Sequence, residues 1–99
     1  MMKTVEILGD EFKLAYNLKT LFVYEEIAGH PYKGEKLVDT YTLMYAMLLA
    51  NNEHFSLTFD QFIQECDGNM GLYSVFCEVL EAESRRVSAF LEDKKKAMM

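Results

Sequence analysis

Metal-ligand and nucleophile chemistry is what this 99-residue sequence has least of. Its two histidines, His30 and His54, fall beside Pro31 in a turn and in a loop, and neither stands in an i, i+4 pair or a Cys-x-x-Cys context. The two cysteines, Cys66 and Cys77, lack paired spacing. Cys77 reads as a small buried hydrophobe, and with no secretory apolar region after the first Met the thiols read as reduced and the chain as cytoplasmic. No Gly-rich phosphate loop follows a strand, and no Ser or Cys sits in a nucleophile motif. Asp67-Gly68-Asn69-Met70-Gly71 has the composition of a calcium loop without its alternating oxygen ligands or closing Glu, so it reads as a turn. Glu25, Glu26, Glu78, Glu81 and Glu83 read as solvated helix faces rather than paired catalytic carboxylates. The sequence therefore points away from an enzyme: no catalytic residue, cofactor or metal site is assigned.

Basic charge is also scarce. Ten Lys and Arg oppose 16 Asp and Glu, giving a net charge of −6, and no basic cluster occurs before Lys94–Lys96. The electrostatic footprint of a nucleic-acid binder is missing. No apolar run approaches the roughly 20 residues of a membrane span. Apolar content of 51% excludes disorder, and the length suits one domain over residues 1–99 that buries roughly two thirds of its unfolded surface.

What the chain does contain is organised around Leu37–Ala50, the most apolar run. As a helix it places Leu37, Val38, Tyr41, Met44, Tyr45, Leu48 and Leu49 on a broad stripe, and Leu43, Ala46, Met47 and Ala50 on a second face of smaller residues. A helix apolar nearly all round must be covered on more than one side. Before it, residues 3–16 alternate, with Val5, Ile7, Phe12, Leu14 and Tyr16 facing one way, which predicts a β-hairpin closed by a loop at Gly9-Asp10-Glu11. Such a hairpin needs a helix beneath it or another strand at its free edge. Asn17 is the expected N-cap of a helix over Leu18–Ala28 carrying Leu18, Leu21, Phe22 and Ile27, with Gly29 and Pro31 as the stop. Thr58 and Gln61 form a capping box, flanked by Leu57 and Phe62 as a hydrophobic staple, for a short helix Phe59–Cys66 that ends with Gly68 in the left-handed conformation. From Met70 one long amphipathic helix runs on, with Phe76, Leu80, Glu83, Val87 and Phe90 at alternating steps of 4 and 3. Its second half is expected to project, and Lys94–Met99 to fray. The fold class is mainly α (α+β): a hairpin over residues 3–16, then a four-helix arrangement over residues 17–93 with a long C-terminal helix.

Three stretches carry a resemblance: Tyr24–Tyr32, Tyr45–Ala50 and Leu57–Phe62. Their order and composition resemble the small tail assembly chaperones of long-tailed phages and prophages, in which an F-E-x-I-T-G-x-x-F-like segment, an apolar Y-A-x-L-x-A-like helix and an L-T-x-E-x-F-like helix start recur. Here Tyr24 and Ala28 replace the Phe and Thr of the first segment. The resemblance implies a non-catalytic protein, acting in the bacterial cytoplasm, that keeps the helical tape-measure protein soluble and recruits tail-tube subunits. The stripe Phe76, Leu80, Val87, Phe90 and Leu91 is the candidate protein-contact surface. With the free hairpin edge, it leads to the expectation of a homo-oligomer, kept weak because Glu83 within the stripe is destabilising unless paired, for instance with Arg86 of a facing chain. A host-cell adaptor and a small ligand-binding domain or enzyme remain the rival classes.

The capping box is expected to be structural. Thr58→Ala should lower stability by about 0.5–2 kcal/mol in denaturant titration and leave binding of a protein partner intact. Lost binding at unchanged stability would move Thr58 into a contact site.

Overall fold

The alternation at the N-terminus becomes strands β1 (Lys3–Ile7) and β2 (Asp10–Leu14), paired antiparallel with Val5 opposite Phe12 and Ile7 opposite Asp10. The computed structural model describes residues 3–98, with side chains from Lys3 to Arg86. The hairpin connection is Leu8-Gly9 rather than the expected Gly9–Glu11, so Asp10 and Glu11 belong to β2. Both connecting residues have positive φ, 53° at Leu8 and 82° at Gly9, as a two-residue primed turn requires. Gly9 adopts this freely, whereas Leu8 does so at a cost of roughly 1–2 kcal/mol and stays exposed. The tight turn sets the register that turns Val5, Ile7, Phe12 and Leu14 inward together.

That register also fixes the edges. With Ile7 and Asp10 closing the turn as a hydrogen-bonded pair, Lys13 directs its backbone groups away from β1. The side chain of Asn52 meets them there. The Lys13 N–H donates to Asn52 Oδ1 at 2.7 Å, and Asn52 Nδ2 donates to the Lys13 carbonyl at 2.9 Å. A single amide thus takes the place of a third strand at Lys13 on the β2 edge.

Four helices follow: α1 (Leu18–Ala28), α2 (Leu37–Asn51), α3 (Phe59–Gly68) and α4 (Gly71–Met98). Asn17 caps α1 by accepting from the Thr20 N–H, and Gly29, at φ 79°, closes it with an N–H to the Glu25 carbonyl. Of the four apolar residues read on α1, Leu21 alone is buried. Thr20, Leu21 and Tyr24 point inward, while Leu18, Phe22 and Ile27 are exposed. In α2, Leu43, Met44, Ala46, Met47 and Leu48 are fully buried, so the smaller-residue face joins the core. Leu37 and Val38, read from sequence as the start of the buried stripe, are 69% and 53% exposed. The reason is coverage: α1, α3 and β2 all pack on α2, yet they leave Leu37 and Val38 in its first turn largely uncovered.

The Thr58–Gln61 capping box forms, with the Gln61 N–H donating to Thr58 Oγ1 at 3.2 Å and the Thr58 N–H to Gln61 Oε1 at 2.9 Å. Helix α3 runs two residues further than expected. Gly68 stays inside it with no positive φ, and Asn69 closes it with an N–H to the Cys66 carbonyl. Helix α4 runs to Met98, through the stretch expected to fray, because no Gly or Pro follows Gly71 to interrupt it. Its first half packs Leu72, Phe76 and Val79 into the core, with Phe76 edge-on to Phe62 at 6.2 Å.

Removing the Asn52 amide strands two backbone groups of Lys13, so Asn52→Ala is expected to cost about 1–3 kcal/mol. Hydrogen exchange is the discriminating measurement: the Lys13 amide should lose protection far more than the Phe12 amide, and equal loss at both would contradict the edge-capping role.

Candidate functional site

Where the first turn of α2 is left uncovered, a groove of about 430 Å³ opens between α2 and α3. Tyr41, Phe59 and Ile63 form its floor, each half-buried and packed against the core, and Cys66 lies buried among them. Leu37, Val38 and Met70, the last 69% exposed, stand at its rim. The walls are held by aromatic contacts. Tyr41 stacks on Tyr73 at 5.7 Å, and Phe59 meets Tyr45 edge-on at 5.5 Å. Tyr45 is itself anchored, its hydroxyl donating to the Leu57 carbonyl at 2.6 Å.

Charge around the groove has one sign on the α3 side. The helix carries Asp60, Glu65 and Asp67 and no Lys or Arg, and Asp67 lines the groove directly. Inside, the apolar surroundings suppress ionisation. Burial, and then the neighbouring Glu65, pushes the Cys66 thiol up to about 11. Burial likewise raises the Tyr41 phenol, with Cys66 and Cys77 as smaller influences. This lining offers shape and apolar contact rather than acid–base chemistry.

A second, smaller cavity of about 230 Å³ is polar, lined by His30, Lys33, Glu35, Lys36 and Asp39. Asp39 is already engaged, accepting from the Lys36 N–H at 3.1 Å in the first turn of α2 and lying 3.5 Å from the Tyr24 hydroxyl. His30 turns its Nδ1 to the Pro31 carbonyl at 2.9 Å, and His54 stacks on Phe12 at 4.9 Å. Among the described residues no cluster of three or more His, Cys, Asp and Glu could hold a metal ion. No helix among them is long and apolar enough to cross a membrane.

The stripe named from sequence is divided by the fold. Phe76 is fully buried and Leu80 half-buried against the core, so Phe76 has nothing left to present to a partner. Glu83 finds its partner within the chain: Arg86 Nε donates to its carboxylate at 2.7 Å, and Arg86 Nη2 donates to the Tyr16 carbonyl at 2.9 Å. The side chains of Val87, Phe90 and Leu91 lie outside the described residues. The groove was missed from sequence because Leu37 and Val38 continue the apolar pattern of α2. The available signal was Lys36 and Asp39 bracketing them, a polar frame around two large apolar side chains. Comparison with protein-family models, with curated proteins and with solved structures gave no match.

The raised thiol and phenol groups predict alkaline sensitivity. Cys66 moves from 9.0 to about 11, and Tyr16, through burial and then Tyr32, from 10.0 to about 12. In both, the folded state holds the proton more tightly than the unfolded state does, so this contribution is fully present below about pH 9 and is lost as pH rises towards 12. Urea midpoints measured across that range should fall from about pH 9 onward. Cys66→Ala should delay the onset by removing the earlier titration, and an unchanged onset would exclude Cys66 as its source.

Proposed function

We propose that this chain is a non-catalytic, protein-binding chaperone of the phage tail assembly kind it resembles. Its groove between α2 and α3 receives one amphipathic helix of the client. The observation that carries the reading is the groove itself: Leu37, Val38 and Met70 stand more than half exposed around a floor of Tyr41, Phe59 and Ile63. A small monomeric domain gains nothing from leaving such a cluster in water, and contiguous apolar patches of this kind mark contact sites. A helix laid in a groove presents side chains at i, i+3, i+4 and i+7, which suits a trough between two helices. The carboxylates of α3 favour a client helix with Lys or Arg beside its apolar stripe. By the resemblance, the client is the tape-measure protein, with tail-tube subunits recruited afterwards. The net charge of −6 fits a carrier that must keep an apolar client in solution. The paucity of polar groups in the groove lining argues for this protein-binding reading over a small polar substrate.

The test is co-expression with helical fragments of a tape-measure protein, followed by measured affinity for the fragment retained. Leu37→Asp should weaken binding at least about tenfold, equivalent to about 1.4 kcal/mol. Because Leu37 is largely exposed, the melting temperature should hardly move. Undiminished affinity in Leu37→Asp would remove the groove from the binding site, and no retained fragment at all would sink the chaperone reading.

A further inference from the structure

We propose that, in the absence of client, the groove between α2 and α3 is filled by the C-terminal end of α4 from a second copy of this chain. The inference rests on the reading of the groove as a helix-binding site and adds how that site is occupied and regulated.

Three observations converge on this occupant. The first is reach. Helix α4 begins at Gly71, immediately after Met70 on the groove rim, and its 28 residues carry the far end about 40 Å away. The molecule measures 46 Å in its long direction against 26 and 25 Å in the others. A straight α4 therefore keeps a chain's own C-terminal end away from its own groove, and the occupant must come from another molecule. The second is length. Arg86 still ties α4 to the body through the Tyr16 carbonyl. The helix from Val87 to Met98 spans about 18 Å, matched to the 10-residue α3, about 15 Å long, that forms the groove wall. The third is chemistry. Val87, Phe90 and Leu91 are spaced as an apolar helical stripe, and Lys94, Lys95 and Lys96 follow them. The wall they would meet carries Asp60, Glu65 and Asp67 and no cation.

Symmetry makes the exchange reciprocal. Two α4 helices laid antiparallel bring the end of each to the start of the other, where the groove opens, so both contacts close about one two-fold axis. A client helix with the same apolar and basic character then competes with the partner copy's tail. Self-association stores the groove covered, and client binding releases it.

Sedimentation equilibrium on the full chain tests this through complementation. The wild type is expected to form a dimer that dissociates on dilution, and both Leu37→Asp in the groove and Phe90→Asp in the tail should weaken it at least tenfold. An equimolar mixture of the two variants should associate more tightly than either alone, since one carries an intact tail and the other an intact groove. Thermal melting confirms that both variants are folded. A wild type that stays monomeric at high concentration overturns the proposal, and so does a mixture no stronger than its components. The reading of the groove is judged separately: a tape-measure fragment bound by the wild type and lost in Leu37→Asp upholds that reading even if self-association fails, and a fragment insensitive to Leu37→Asp removes it.

Discussion

The arrangement depends on a polar joint where the end of α2 meets the hairpin and the start of α1. Asn51 Nδ2 lies 3.1 Å from the Ala15 carbonyl and 2.8 Å from the Met47 carbonyl, while Asn51 Oδ1 accepts from Asn17 Nδ2 at 2.9 Å. Asn17 Oδ1 in turn caps α1 through the Thr20 N–H, and the fully buried Thr20 hydroxyl sits between Asn17 Oδ1 and the Ala15 carbonyl at 2.8 and 3.0 Å. Asn52 continues the joint along β2. Such a network holds only when every member is satisfied, and among the described residues no buried side-chain polar atom lacks a partner. A two-stranded hairpin has little stability of its own, so this joint together with the apolar face beneath is what makes it part of the domain.

The joint also explains where the groove is. It fixes the C-terminal end of α2 under β2, and α1 returns along α2, so coverage is densest over Leu43–Leu48. Among the described residues, the 10-residue α3 leaves Leu37 and Val38 in that first turn largely uncovered. Leu37 and Val38 are exposed as a consequence of which end is held. Met70, the last residue before α4 turns away, completes the rim from the opposite side.

Features legible in the sequence were those settled locally. Alternation gave the hairpin face, Asn17 and Thr58 gave the helix starts, and Gly29 gave the stop of α1, because each depends on hydrogen bonds or φ values within a few residues. Choices between faces were not local. In α1, Leu18, Phe22 and Ile27 look more apolar than Thr20 and Tyr24, yet the buried pair is the one whose polar atoms find partners at Asn17, Ala15 and Asp39. In α2 both faces are apolar, so periodicity cannot say which part is left uncovered. Phe76 could not be told from a contact residue, since the same spacing serves a core and a seam. Gly68 illustrates the converse: a residue that permits a left-handed cap does not require one, and Asn69 closes the helix at φ −143° through its N–H to the Cys66 carbonyl.

Glu83 marks the change in character along α4. It is 9% exposed, and a carboxylate so enclosed is costly without compensation. Arg86 compensates it from one turn further on while reaching the Tyr16 carbonyl, so one guanidinium both neutralises the buried charge and fastens the helix to the β2–α1 connection. Bidentate use of this kind favours Arg over Lys, whose single ammonium cannot span two acceptors in fixed directions. Beyond this fastening the charge of the chain reverses locally at Lys94–Lys96, after a body dominated by carboxylates. The buried Glu83–Arg86 pair thus stands between an acidic body, with the apolar groove at the start of α4, and a basic segment near the end of the same helix.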